Sequence, residues 1–97
     1  MPNIEAASSN RAIITVLGSD RPGIVASVTG ELADREANIL DISQTILQGT
    51  FTMTMLVDLG DSVDFSELKG ALDGLSEKLG VQITLQREEV FRFMYRL

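Results

Sequence analysis

From Arg11 onward the chain switches between two hydrophobic rhythms, a strand-like alternation and a helix-like recurrence every three to four residues. Ala12-Ile13-Ile14-Thr15-Val16-Leu17 is rich in β-branched residues and stops at Gly18, the pattern of a strand running into a loop. Ser19-Asp20-Arg21-Pro22-Gly23 carries helix-start chemistry. Asp20 can cap free amides, and Pro22 suits a first helical turn, where its missing N–H costs nothing. Ile24, Val25, Val28 and Leu32 then recur at helical spacing, with Ser27, Glu31, Asp34 and Arg35 turned elsewhere. Asn38 suits the exit of this helix, because asparagine tolerates a left-handed backbone.

Ile39 to Leu47 is a second predicted strand and Thr50 to Asp58 a third, joined tightly around Gln48-Gly49. In the third, Phe51, Met53, Met55 and Val57 point one way and Thr52, Thr54, Leu56 and Asp58 the other. Asp64, with Glu67 three residues later, resembles a capping box that opens a second helix. Phe65, Leu68, Leu72, Leu75 and Leu79 form its apolar stripe, Lys78 complements its dipole and Gly80 ends it. Gly70 and Gly74 interrupt that helix, which fits either close packing or an exposed, weak helix. Val81, Ile83 and Leu85 alternate as a fourth strand. Glu88-Glu89 reads as a solvated start to a helical tail on which Val90, Phe91, Met94 and Leu97 share one face. That face suits contact with a partner somewhat better than contact with its own sheet.

The order is β-α-β-β-α-β plus a tail. The fold class is α+β, a ferredoxin-like βαββαβ sandwich with an antiparallel sheet, two helices on one face and a short C-terminal helix. Residues 1–10 are small and polar without periodicity and are expected to form a flexible N-terminal arm, leaving 11–97 as a single domain. A chain of 97 residues has room for one modest core, so dimerisation would help it.

Composition narrows the function. There is no cysteine and no histidine, which excludes disulfides, thiolate or imidazole metal sites, and catalysis by either side chain. No catalytic residue, cofactor or metal ligand set is expected, since the carboxylates form no convergent acid–base pair and no cation-binding loop. A net charge of −6 weighs against nucleic acid. The start lacks a basic region followed by an apolar run, and no apolar stretch is long enough to span a membrane. The expected address is therefore cytoplasmic.

The junction of first strand and first helix is the segment richest in chemistry. Asp20, Pro22 and Gly23 end at a helix N-terminus, whose amides and dipole can receive a carboxylate or phosphate, and Gly23 lets a ligand approach the backbone. The same residues also make a capped turn with no ligand at all. On the second strand, Asp41 shares a face with Ser43 and Thr45, whereas Gln44 lies opposite, between Ile42 and Ile46. Gln44 fits a ligand or partner contact, or equally a buried amide paired with backbone.

Ile14-Thr15-Val16-Leu17-Gly18-Ser19-Asp20-Arg21-Pro22-Gly23-Ile24-Val25 resembles the opening of ACT domains, and Asn38-Ile39-Leu40-Asp41-Ile42-Ser43-Gln44-Thr45 is similar to their second-strand motif. The likeness runs from about Arg11 to Leu97 and is strongest to stand-alone, single-ACT-domain bacterial proteins. The first half also resembles the amino-terminal ACT domain of the glycine cleavage system transcriptional repressor. The resemblance implies a regulatory module that pairs with another ACT domain and binds an amino acid at the interface. Carried over by position, the ligand-binding candidates are Asp20, Pro22, Gly23, Ile24 and Asn38, with Asp41 and Gln44 as interface or ligand residues. One departure stands out: relatives usually have glycine two residues before this asparagine, and this chain has Glu36. A non-glycine in a left-handed position costs on the order of 1 kcal/mol, so a different helix exit is expected here.

The implied function is a homodimeric, non-enzymatic domain that senses a small molecule, an amino acid by class, and acts on a protein partner. The competing expectation is a dimerisation module with a vestigial pocket.

Overall fold

The computed structural model describes residues 10–19 and 22–94. Asp20, the arm up to residue 9, and the tail position Leu97 lie outside the described residues. The elements are β1 (Arg11–Ser19), α1 (Ile24–Asp34), β2 (Asn38–Leu47), β3 (Thr50–Asp58), α2 (Phe65–Leu79), β4 (Gln82–Arg87) and α3 (Glu88–Met94). The strands form one antiparallel sheet in the order β2-β3-β1-β4, which is the expected ferredoxin-like arrangement with a short third helix.

The core follows the alternation of the strands. Ala12, Ile14 and Val16 of β1 pair with Val57, Met55 and Met53 of β3 and turn the same way as Ile83 and Leu85 of β4. All of these are buried, together with Ile24, Val28 and Leu32 of α1 and Leu68, Leu72 and Leu75 of α2. The two long helices therefore cover one face, and Arg35 ties them together. Its guanidinium donates to Glu67 at 3.1 and 3.3 Å and to Glu31 at 2.7 Å. Glu67 is thus spent on the neighbouring helix rather than completing a capping box, and Asp64 alone caps α2 by accepting from the amides of Ser66 and Glu67. At this end of the domain too, Asn10, the last residue of the expected arm, accepts from the Leu59 amide at 2.9 Å.

Both ends of α1 differ from expectation. Gly23, at φ 91°, is the N-cap, so Pro22 stands one position ahead of the cap and outside the first turn. The exit falls at Glu36, not Asn38. Glu36 adopts φ 61°, its amide donates to Ala33 O, and the Ala37 amide donates to Leu32 O, both at 3.0 Å. Those two bonds make a Schellman motif, which normally places glycine where Glu36 stands. A glutamate thus takes the left-handed position and bears its cost. Asn38 is already the first residue of β2, paired with Asp58.

β2 is the anomaly of the sheet: all ten of its residues are exposed. It pairs with β3 through a register shift between Ile39 and Asp41 and turns at Gln48-Gly49, where both residues have positive φ, the geometry of a type I′ hairpin.

The backbone conformations give a direct test. Glu36→Gly should raise the unfolding free energy by about 1 kcal/mol in chemical denaturation, because the left-handed penalty disappears. Gly70 and Gly74 meet nothing that an added Cβ would touch, which rules out close packing. Alanine at either should add about 1 kcal/mol in the same assay. Gly80→Ala, at φ 71°, should move stability the other way.

Candidate functional site

The strand register separates the candidate residues. Asn38, Asp58 and Arg11 lie in one row across one end of the sheet, while Leu47, Thr50 and Ser19 form the row at the other end. α1 starts after β1 ends and runs back toward Asn38, so its N-terminus sits at the Ser19 end. Eleven residues at about 1.5 Å each put roughly 16 Å between Gly23 and Asn38. Within one chain Pro22, Gly23 and Ile24 therefore do not converge with Asn38. Pro22 and Gly23 are exposed. The Ile24 side chain is a core residue, 2% exposed, so only its backbone is available to a ligand. No acidic residue stands in the first turn of α1. Its leading amides thus keep the partial positive charge of a helix N-terminus.

Between these two ends runs an open groove of about 500 Å³, lined by Ala26, Thr29, Gly30 and Ala33 of α1 and by Ala37, Asn38 and Ile39 at the start of β2. The small residues recur at helical spacing and leave the flank of α1 low. The Thr29 hydroxyl is occupied, donating to Val25 O at 2.8 Å. On the β2 side, Ile39, Ile42, Gln44 and Ile46 pair with Val57, Met55, Met53 and Phe51, so they share the helix-covered face of the sheet. They nevertheless lie exposed beyond α1. Gln44 is therefore not a buried amide; it stands in an uncovered apolar row.

On the opposite face of the sheet, Asp41 pairs with Leu56, and its Oδ1 accepts from the Ile42 amide at 2.9 Å. α3 crosses this outer face and packs on β1 and β4, so the tail covers part of its own sheet. Ile13 is 7% exposed although it belongs to the outer face of β1. Val90, Phe93 and Met94 remain exposed. The helix is held by Glu88, which is buried rather than solvated. Its carboxylate accepts from Arg11 Nε at 2.8 Å and Nη2 at 2.6 Å, and from Arg92 Nε at 2.9 Å. Hydrogen bonds from Arg11, helped by Arg92, hold Glu88 below the usual carboxylate range against the opposing effect of burial. The i, i+4 spacing of Glu88 and Arg92 is visible in the sequence. Arg11 is 77 positions away, and nothing local announces it.

Among the described residues no group of three or more carboxylates could hold a metal ion, and no helix is long and apolar enough to cross a membrane.

Comparison with known proteins agrees with this fold. A family model described as ACT domain matches residues 10–86. The chain is 48% identical over 89 residues to a UPF0237 protein of Methanocaldococcus jannaschii, covering 91% of this chain and 99% of that one. It is similar to the solved structure of an ACT domain protein from Streptococcus pneumoniae, with a TM-score of 0.74 and 42% identity over 84% of this chain and 92% of that one. A candidate glycine cleavage system transcriptional repressor aligns with a TM-score of 0.72 and 26% identity, over 79% of this chain and 44% of its own length.

The Glu88 cluster sets an acid limit on stability. Its folded-state pKa lies below the unfolded one, so its contribution is complete above the ordinary glutamate value of about 4.3 and fades as pH falls below it. Glu88→Gln should cost about 1–3 kcal/mol at neutral pH, where charged hydrogen bonds are lost. It should also flatten the fall in melting temperature below pH 4.

Proposed function

Because this chain belongs to the ACT domain family, whose members are typically ligand-binding regulatory domains, we propose that it is a non-enzymatic, cytoplasmic sensor that binds an amino acid as a homodimer and acts on a protein partner. The observation that carries this reading is β2, an edge strand whose ten residues are all exposed, with Ile39, Leu40, Ile42, Ile46 and Leu47 among them. An apolar edge of that length, unpaired among the described residues, invites a second strand.

A two-fold axis through the middle of β2 pairs it antiparallel with its copy. Such an interface is isologous, so Asn38 of one chain comes opposite Leu47 of the other. Leu47 marks the end of the sheet where α1 begins. The two half-sites that a single chain holds about 16 Å apart thereby meet across the interface. The leading amides of α1, near Gly23, would receive a ligand carboxylate, and Asn38 of the other chain its amine. A ligand in that position stabilises the paired arrangement in proportion to its preference for it, which is the linkage a regulator requires. The left-handed Glu36 supports an intact site, since it delivers Asn38 to β2 as glycine would.

Purified protein should therefore run as a dimer, and its melting temperature should rise with one member of an amino-acid panel. A ligand at a hundred times its dissociation constant adds about 2.7 kcal/mol. Asn38→Ala should remove the part of the shift that arises in this groove and leave the dimer. Ile46→Lys, which puts a charge on the edge, should give a folded monomer that has lost the same Asn38-dependent part of the shift. A wild-type dimer unmoved by every amino acid would instead favour the assembly role.

A further inference from the structure

The outer face of the sheet holds a second cavity of about 210 Å³, away from the groove beside α1. Its floor is Ile13 of β1 and Leu56 of β3, and its walls carry Asp41 and Ser43 of β2, Thr54 of β3 and Arg92 of α3. The register explains the grouping. Asp41, Leu56 and Ile13 form one row across three strands, and Ser43 and Thr54 are neighbours in the next pairing on the same face. α3 packs over β1 and β4, which brings Arg92 to the side of the cavity away from Asp41.

The two charges are incompletely used. Asp41 makes no ion pair among the described residues, and its recorded hydrogen bond is the local one from the Ile42 amide. Arg92 gives Nε and Nη2 to Glu88, which leaves Nη1 without an acceptor among the described residues. Glu88 meanwhile fixes the guanidinium in place, and the Arg92 side chain is still 65% exposed. The cavity thus offers a cation donor on one wall, a carboxylate on the other, two hydroxyls beside the carboxylate and an aliphatic floor.

We infer that this cavity binds a small aliphatic α-amino acid as its zwitterion, the carboxylate on Arg92, the ammonium on Asp41 and the side chain over Ile13 and Leu56. Each element excludes an alternative. Asp41 repels a phosphate or dicarboxylate, and Arg92 repels a simple amine. The volume lies below that of pockets for drug-sized ligands and suits a small molecule. The site is complete in one chain and does not depend on pairing through β2.

The test is an amide NMR titration of the whole chain with L-valine, N-acetyl-L-valine and L-valinamide. L-Valine should shift the amides of Asp41, Ser43, Thr54 and Arg92. Each blocked form should bind at least about tenfold more weakly, the worth of one charge-assisted hydrogen bond. Arg92→Gln and Asp41→Asn should each weaken L-valine by a similar factor while the remaining spectrum keeps its dispersion, since Arg11 still holds Glu88 and Asp41 is exposed. Shifts at these amides that persist in monomeric Ile46→Lys protein would support this site whatever becomes of the dimer groove. Shifts confined to residues 22–26 and 37–39 would overturn it while supporting the groove. Equal binding of the blocked forms, or no shift up to the solubility limit of L-valine, would also overturn it.

Discussion

The arrangement of this domain depends on one mismatch: the sheet has four strands, and the two long helices bury side chains from only three of them. Ala12, Ile14 and Val16, Phe51 to Val57 in alternation, and Ile83 and Leu85 fill the space beneath α1 and α2, while β2 contributes no buried residue. Apolar burial is the main favourable term in folding, so β2 is held chiefly by its ladder with β3. The low flank of α1, the groove beside it and the open apolar row containing Gln44 all follow from that shortfall. A wider helix layer would remove the groove and cover the apolar row.

The outer face solves a different problem. A sheet covered on one side alone leaves Ile13 and its neighbours wet, and a helix of seven residues has little surface of its own with which to cover them. A buried carboxylate shared between two guanidiniums supplies the missing attachment. Charging Glu88 in a partly buried place is costly, and the hydrogen bonds from Arg11 outweigh that cost, as the lowered pKa requires. Replacing either arginine alone would leave the carboxylate only partly satisfied, so the three side chains act as one clasp between the first strand and the last helix.

Most of the fold was legible because its period is local. The methionines of β3, the stripe of α2, the Asp64 cap and the Gln48-Gly49 turn each declare themselves within a few residues. The site was legible only in part. The sequence likeness marks Gly23 and Asn38, but not that a helix length separates them, because distance across a sheet is set by register. Glu36 looked like an obstacle and proved to be a left-handed glutamate performing glycine's task. Glu88 looked solvated because its main partner lies at the far end of the chain. Gln44 sits between apolar neighbours in a strand whose alternation specifies a burial that this single chain does not supply.

β2 is also bracketed by two non-glycine residues of positive φ, Glu36 before it and Gln48 after it. The Glu36 joint is held by the end of α1 rather than by the ladder, and no side chain of β2 need be pulled from the core for the strand to leave the sheet. The strand can therefore open as a unit at a free energy well below that of global unfolding. Amide hydrogens along β2 would then exchange through this local event in a lone chain, and through a rarer one whenever something else is laid against the edge. Protein concentration would thereby become visible in the exchange rate of a single strand, with the rest of the domain as its internal standard.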